Sequence, residues 1–380
     1  MIMNNLPIIG ISIIFPFSFN LLLTYLLIKL AHHKEWYDDV DHRKIHTGDI
    51  PRIGGVGVFI ASLTSILILL GLAGRSPLLS GAELNTSLSS CIVLLISLAL
   101  IHSVGLLDDF ANLRPLYKLY GQVLAALIVV GTGHHFQSLY FPFFDVVMPL
   151  GISGPVLTFL WILGVTNAVN LIDGLDGLSS TVSIVAALFL AFGAAATGNF
   201  LPALFAFAMV GALVSFLLFN LPPAKLFMGD SGSMFLGFFL SALPLFAFTS
   251  QNNGRALPFA MSLVFIPILD TLGAIVRRKR KGIPLHAPDQ EHLHHKLLNF
   301  GWSNRLILTV IALSSFLLAS VAYLWLVSGS RLMSYVLSLL WAAAVACFFV
   351  LHKLNKVHKG ESVREPAPDH APDEPTSEKL

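Results

Sequence analysis

Long apolar runs, separated by short polar strings, make up most of this sequence. A helix needs about 20 consecutive, mostly apolar residues to cross the hydrocarbon core of a bilayer. Eleven runs approach that length, at residues 6–30, 54–73, 88–107, 116–133, 153–172, 178–197, 201–219, 233–249, 256–276, 305–328 and 332–352. The pattern predicts an all-α polytopic membrane protein with about eleven transmembrane helices. No basic segment precedes the first run and no small-residue cleavage site follows it, so we expect a retained helix.

The composition supports a membrane protein and excludes several other classes. Of the 380 residues, 55% are hydrophobic and 12% are charged, whereas about a quarter of the residues in a soluble domain are charged. Soluble multidomain enzymes, secreted disulfide scaffolds and nucleic-acid-binding proteins are therefore excluded. Cys91 and Cys347 both lie in apolar runs, with no metal-ligand spacing around them.

The positions of lysine and arginine predict the orientation in the membrane. Nineteen of the 23 basic residues fall in the segments that share a side with the loop after the first run. Only Arg75, Arg255 and Arg331 fall on the opposite side. Because cytoplasmic loops carry the excess of Lys and Arg, we expect the N-terminus outside and the C-terminus in the cytoplasm.

The chain divides into two predicted parts. Residues 1–359 are expected to form one integral membrane domain with cytoplasmic polar loops. Residues 360–380 mix prolines with carboxylates and contain few apolar side chains. This composition cannot bury a core, so we expect a disordered cytoplasmic tail.

One polar string precedes the second apolar run, and another follows the third. The first spans 46–55 and contains Arg52, with a glycine pair that permits close backbone approach. The second contains the adjacent carboxylates Asp108 and Asp109, followed by Lys118. Because adjacent carboxylates repel each other, a hard cation such as Mg²⁺ carrying phosphate is the natural partner. The structural alternative for the first string is a loop that turns into a membrane helix. The alternative for the second is a solvated helix terminus.

The third string follows the fifth run and is rich in amides, carboxylates and glycines. It contains Asn167, Asn170, Asp173 and Asp176, and each aspartate is followed by glycine. Glycines at this density are typical of a loop that wraps a ligand with its backbone, while amides and carboxylates can bind a base or ribose. A double turn without a ligand is the alternative.

The fourth string contains Asn220, Phe227 and Asp230, the last at the start of the eighth run. A helix N-terminus favours anions, so Asp230 is either a capping residue or a metal ligand held near a phosphate. The fifth string begins with the basic run 277–281, which is typical of a cytoplasmic anchor to anionic lipid. It ends in histidines at 292, 294 and 295, which are expected beside a pyrophosphate rather than around Zn²⁺.

All five strings fall on the side predicted to be cytoplasmic, although that prediction uses lysine and arginine alone. A chance distribution of five loops onto one side has a probability of about 3%, with each side equally probable for each loop. The strings therefore indicate one composite site facing the cytosol. Asp270, inside the ninth run, is either functional or hydrogen-bonded within the structure.

Taken in order and with their spacing, the strings resemble the polyprenyl-phosphate N-acetylhexosamine-1-phosphate transferase family. Its members move a sugar phosphate from a UDP-sugar to a lipid phosphate, and the resemblance runs from about residue 46 to residue 295. It implies catalytic roles for residues of the second and fifth strings: Asp108, Asp109, Lys118, His292, His294 and His295. It implies nucleotide or substrate contacts for Asn167, Asn170, Asp173, Asp176, Asn220 and Phe227, and we assign Arg52 to substrate binding as well.

The resemblance also implies a metal and a branch of the family. Asp230 resembles the Mg²⁺-coordinating aspartate, with Asp108 as an alternative ligand and Mn²⁺ as an alternative metal. The order of residues 289–295 resembles the UDP-N-acetylglucosamine branch, which starts O-antigen, common antigen or teichoic acid linkage units. Leu293 interrupts the run of three histidines found in the peptidoglycan-precursor branch. Gln290 departs from the family, which often has a basic residue there.

The expected reaction joins two anionic reactants, a UDP-sugar and undecaprenyl phosphate, at the cytoplasmic face of a bacterial inner membrane. Charge neutralisation and in-line positioning are then the main catalytic tasks. The sequence is compatible with direct attack and with a covalent aspartate intermediate. It is also compatible with a homodimer. Other UDP-sugars carrying GalNAc, FucNAc, QuiNAc or MurNAc-pentapeptide are alternative donors. A membrane transporter and a non-catalytic scaffold are the alternatives from other classes.

Overall fold

The computed structural model describes residues 6–37, 50–73, 81–248, 253–284 and 291–362. These residues form thirteen α-helices and one β-hairpin. The helices are α1 Leu6–Lys34, α2 Gly54–Ala73, α3 Gly81–Ala111, α4 Pro115–Gly131, α5 Ser153–Ile172, α6 Leu178–Ala196, α7 Phe200–Asn220, α8 Gly229–Ala247, α9 Asn253–Leu263, α10 Phe265–Arg280, α11 Leu293–Asn299, α12 Asn304–Ser328 and α13 Arg331–Ser362. The hairpin pairs β1 Ser138–Phe141 antiparallel with β2 Val146–Pro149.

The prediction of an all-α polytopic membrane protein is confirmed. Among the described residues, nine helices are long and apolar enough to cross a membrane. The pair α9 and α10 makes a tenth if it is one broken span, and α4 is an apolar helix of 17 residues. Every one of the eleven apolar runs is thus helical, although two of them differ from a simple straight span.

The ninth run was expected to be one helix and is broken instead. Helices α9 and α10 meet at Val264 and are bent by 79°. Pro267 lies in the first turn of α10 and has no N–H to donate to the carbonyl of Leu263. Proline is tolerated in the first turn of a helix but interrupts the preceding one, which accounts for the position of the break.

Helix α8 is the centre of the packing. Almost all of its residues are buried, including Phe235, Phe238 and Phe239. It packs against α3 on one side and α5 on another, while α7 packs against α1, α2 and α6. Burial of large aromatic side chains at this density holds the body of α8 in one position, and the first turn of this helix meets the polar loops.

Several predictions fall on residues outside those described. They concern the first half of the 46–55 string, residues 289 and 290, and residues 363–380 of the predicted tail. Helix α13 ends at Ser362.

Candidate active site

Three carboxylates from distant parts of the chain meet at the start of α8. Asp108 and Asp109 lie in the last turn of α3, and Asp230 lies in the first turn of α8. Ligand oxygens from the three residues lie within 4.8 Å of one another. Carboxylate oxygens at this spacing could hold a hard divalent cation.

Two cations link these carboxylates. The Lys118 Nζ atom lies 2.6 Å from Oδ2 of Asp108 and 2.6 Å from Oδ2 of Asp230. Arg52 donates from Nη2 to Oδ1 of Asp230 at 2.6 Å, and its Nε lies 3.6 Å from Oδ1 of Asp109. Both cations are about 30% exposed, whereas the carboxylates are almost fully buried. The cations are therefore the accessible part of the cluster.

The two adjacent aspartates have different partners. Both oxygens of Asp109 accept backbone hydrogen bonds from α8, at 2.7 Å from Asp230 N and 3.0 Å from Ser231 N. Asp108 accepts instead from Leu113 N at 2.9 Å, in addition to its contact with Lys118. Asp109 therefore binds the backbone of α8, whereas Asp108 binds Lys118.

Glycines allow this close approach of α8 to α2 and α3. A Cβ atom on Gly55 would lie 2.2 Å from the backbone nitrogen of Gly232, and one on Gly105 would lie 2.5 Å from the carbonyl oxygen of Asp230. Gly229 has a φ of +74°, which favours glycine. The glycine pair of the 46–55 string thus has the close backbone approach that the sequence predicts.

A cavity of about 860 Å³ opens beside the carboxylates. Its walls come from the loops after α5 and α7, the start of α8, and the segments before α2 and α12. The lining includes eight of the residues predicted from sequence, namely Arg52, Asn170, Asp173, Asp176, Asn220, Phe227, Asp230 and His295. Asp108, Asp109 and Lys118 stand behind Asp230 and Arg52 rather than in the lining.

Some predicted ligand-binding side chains fasten the loops to one another. Asn220 is buried, accepts from Gly177 N at 3.0 Å and donates to Leu226 O at 2.9 Å. Asp176 accepts from Ala224 N at 3.0 Å. These bonds join the loop after α5 to the loop after α7, so both residues shape the cavity wall.

Asn167 is placed differently from the other residues of its string. Its amide donates to Gln122 Oε1 at 2.7 Å and accepts from Gln122 Nε2 at 3.3 Å. This reciprocal pair joins α5 to α4 and keeps Asn167 out of the cavity lining. Asn170, one turn later, reaches the cavity and donates to Ser233 Oγ at 2.8 Å.

Asp173 has an unusual protonation equilibrium. Burial raises the pKa of its carboxyl from the ordinary value of 3.8 to about 7, against the opposing effects of the Ser179 hydroxyl and the Arg52 charge. Ser179 donates a short hydrogen bond to Oδ1 of Asp173. A carboxyl of this pKa is partly protonated near neutral pH.

The three histidines of the fifth string occupy different environments. His292 contacts Asp270 through Nδ1 at 2.9 Å, and Asp270 also accepts from Leu293 N at 2.9 Å. His294 is buried against Gly174, and burial lowers its pKa to about 3. Only His295 lines the cavity. Asp270, left open by the sequence, thus fastens the start of α11.

Sequence reasoning missed one wall of the cavity, formed by Ser303, Asn304 and Arg305. Ser303 caps α12, accepting from Leu306 N at 3.3 Å. Serine before an apolar run is a helix-start signal, and it could have located this turn. It could not have shown that the turn faces the loops after α5 and α7.

Comparisons with known proteins find a matching family model and several bacterial relatives. The model of glycosyl transferase family 4 matches residues 91–247. The chain is 32% identical over 297 residues to a probable undecaprenyl-phosphate N-acetylglucosaminyl 1-phosphate transferase of Bacillus subtilis, covering 78% of this chain and 79% of that protein.

Two further relatives come from other bacteria. A decaprenyl-phosphate N-acetylglucosaminephosphotransferase of Mycobacterium tuberculosis is 34% identical over 293 residues, 71% of each chain. An undecaprenyl-phosphate alpha-N-acetylglucosaminyl 1-phosphate transferase of Escherichia coli (strain K12) is 27% identical over 327 residues, 84% of each chain. With matches of this extent, the chain belongs to glycosyl transferase family 4.

Proposed function

We propose that this protein transfers N-acetylglucosamine-1-phosphate from UDP-N-acetylglucosamine to undecaprenyl phosphate, releasing UMP. The observation that carries the proposal is a cluster of carboxylates and cations beside the cavity, formed by Asp108, Asp109, Asp230, Lys118 and Arg52, of which Arg52 and Asp230 line the cavity. Ligand cavities for molecules of nucleotide size have volumes of roughly 300–1,000 Å³, which includes this one. The names of the three relatives describe the same transfer to a polyprenyl phosphate.

The donor is proposed to occupy the cavity. Phe227 and the amide of Asn170 line it beside Asp173 and suit contacts with the uridine. Arg305 is exposed, lines the same cavity and makes no ion pair within the described part of the chain. An arginine fork matches phosphate geometry, so we assign Arg305 to a phosphate of the donor.

Mg²⁺ is the proposed metal, with Mn²⁺ as an alternative. Oxygens of the three carboxylates lie within 4.8 Å of one another, and carboxylate oxygens are the ligands that hard divalent cations prefer. Asp230 would hold the ion, with Asp108 as the second candidate ligand. When bound, Mg²⁺ supplies charge neutralisation on the pyrophosphate.

In the proposed reaction, an oxygen of the lipid phosphate attacks the phosphorus bonded to the sugar. A new P–O bond forms there while the bond to the bridging oxygen breaks, and UMP leaves with that oxygen and its electron pair. Lys118 contacts both Asp108 and Asp230 and would reduce the repulsion between the two anionic reactants. We favour direct attack over a covalent aspartate intermediate.

The proposed location is a bacterial cytoplasmic membrane, with the cavity on the cytoplasmic side. The support is the distribution of lysine and arginine along the sequence. UDP-sugars are made in the cytosol, so a cavity on this side would meet its donor directly. The product would then start a lipid-linked surface glycan.

The test uses the purified full chain in detergent with undecaprenyl phosphate, Mg²⁺ and a series of UDP-sugars. We expect UMP release and a lipid-linked GlcNAc-1-phosphate product by mass spectrometry with UDP-GlcNAc. UDP-GalNAc, UDP-FucNAc and UDP-QuiNAc are expected to react more slowly. Absence of UMP release with every UDP-N-acetylhexosamine would disprove the transferase function, and faster release with another sugar would correct the donor.

A further inference from the structure

We propose that the two adjacent aspartates have separate tasks, and that Asp109 is a positioning residue. In this assignment Asp109 holds the first turn of α8, and through it the carboxylate of Asp230, while Asp108 is the member of the pair that acts in the reaction. The inference rests on the proposed function for the metal at Asp230. It differs from a paired role in which both carboxylates contact metal or substrate.

The first line of support is that the side chains of Asp108 and Asp109 point in different directions. Successive residues of a helix are rotated by about 100°, so the side chains of Asp108 and Asp109 leave α3 in different directions. Asp109 faces α8 and gives one oxygen to each of the first two N–H groups after Gly229. Asp108 faces Lys118. The two aspartates are adjacent in the sequence, but their side chains point in different directions from the helix.

The second line of support is that Asp109 belongs to a stripe of α3 that contacts the same turn. His102 Nδ1 lies 3.1 Å from Ser231 O, and a Cβ atom on Gly105 would lie 2.5 Å from the carbonyl oxygen of Asp230 and 2.6 Å from Cα of Ser231. His102, Gly105 and Asp109 are spaced by three and four residues, so they share one face of the helix. The side chains of His102 and Asp109 therefore bind the start of α8, and the glycine between them lets its backbone come close.

The third line of support is electrostatic. The first N–H groups of a helix have no partners within the helix and carry partial positive charge. The Asp109 side chain is 1% exposed, so its charge is held by those N–H groups and by Arg52. Because both of its oxygens are bound to the backbone of α8, Asp109 is placed to orient Asp230 rather than to contact a substrate.

The consequence concerns the geometry of Asp230. Its backbone nitrogen is bound by Asp109, and its two oxygens are bound by Arg52 and Lys118. Loss of the Asp109 contact would free the backbone without removing either cation. The carboxylate of Asp230 would then lose a defined direction, and metal affinity would fall although Asp109 itself is not a ligand.

The experiment measures Mn²⁺ binding by electron paramagnetic resonance, and the unfolding temperature without metal, for the full chain in detergent. The variants are Asp109→Asn, the matched charge change Asp108→Asn, and His102→Leu, which removes a contact with the same turn but no carboxylate. We expect Asp109→Asn to weaken Mn²⁺ binding roughly tenfold, as loss of an outer-shell partner does. It should also lower the metal-free unfolding temperature more than Asp108→Asn does.

His102→Leu is expected to change both quantities in the same direction as Asp109→Asn. If Asp109→Asn keeps the wild-type metal-free unfolding temperature or the wild-type Mn²⁺ affinity, the positioning role is overturned. If that variant does not fold, His102→Leu decides, and wild-type Mn²⁺ affinity there overturns the role. None of these measurements needs a sugar donor, so a failure of the proposed function appears separately, as an absence of UMP release by the wild type.

Discussion

Lys118 and Asp230 form an ion pair across 112 residues of sequence, with Nζ 2.6 Å from Oδ2. The same ammonium group lies 2.6 Å from Asp108. Lys118 is 27% exposed, whereas the side chains of Asp108 and Asp230 are 5% and 8% exposed. A single accessible cation therefore holds together two buried carboxylates from α3 and α8.

Replacement of Lys118 by alanine is expected to reduce kcat on the order of 100-fold, because the two anionic reactants lose a neutralising charge. The site becomes more negative at the same time, so the Mg²⁺ concentration for half-maximal activity should not rise. Initial rates of UMP release against Mg²⁺ concentration measure both quantities. Lys118→Arg is the control and should keep part of the rate. A higher Mg²⁺ requirement in Lys118→Ala would instead indicate that the lysine supports the metal.

Replacement of Asp230 by asparagine is expected to raise the Mg²⁺ requirement. The change keeps the size of the side chain but removes a charged oxygen ligand. The increase should exceed the roughly tenfold loss that follows removal of an outer-shell partner. The matched control is Asp145→Asn in the β-hairpin, where the carboxylate pairs with Tyr140 and Arg331. Equal Mg²⁺ titration curves for Asp230→Asn and the wild type would exclude Asp230 as a ligand.

The membrane helices could be predicted from the sequence because hydrophobic length is a local property. Even the break at Val264 has a local signal, because Pro267 has no backbone N–H to donate a hydrogen bond within the ninth run. The meeting of the polar strings was predicted from their shared side of the membrane. In the described part of the chain, eight of the predicted residues line one cavity.

The direction of individual side chains could not be predicted. Asn167 and Asn170 lie one turn apart on α5. Both are asparagines of the same polar string, so the sequence predicts the same ligand contacts for each. Only the packing of α4 brings Gln122 against Asn167. Similarly, nothing near Arg305 in the sequence indicates that the start of α12 faces the loop around Asp173. Non-local packing decides these placements.

Replacement of Arg305 by alanine is expected to raise KM for the donor roughly tenfold, the size of one lost hydrogen bond to a charged group. The unfolding temperature should stay unchanged, since the side chain is exposed. Steady-state rates at varied UDP-sugar concentration measure the effect. Arg331→Ala is the control, because Arg331 is also in the first turn of an apolar helix but pairs with Asp145. An unchanged KM in Arg305→Ala would remove this residue from donor binding.

The raised pKa of Asp173 predicts a pH dependence of stability. The folded protein keeps a proton on Asp173 between pH 3.8 and about 7, where the unfolded chain has lost it. Stability from this group therefore decreases as pH rises through that window. Asp173→Asn should flatten the decrease, as measured by unfolding temperature against pH in detergent.

Asp145 supplies a control of opposite sign for that measurement. The Tyr140 hydroxyl, together with Arg331, holds the pKa of Asp145 below its ordinary value of 3.8. Its contribution is present above 3.8 and is lost as pH falls through the lowered pKa. Asp145→Asn should thus leave the slope between pH 3.8 and about 7 unchanged. A slope as steep in Asp173→Asn as in the wild type would assign the dependence to another group.

The contact of Asp270 with the start of α11 predicts an effect on the rate at a distance from the cavity. Asp270 holds both His292 Nδ1 and Leu293 N, and α11 carries His295 to the cavity wall. Asp270→Ala should release this end of α11 and reduce kcat by tenfold to about a hundredfold, the range that a displacement of about 1 Å can cause. Asp270→Asn keeps an acceptor for Leu293 N and should retain more of the rate. Equal kcat values for Asp270→Ala and the wild type would show that the position of α11 does not limit the reaction.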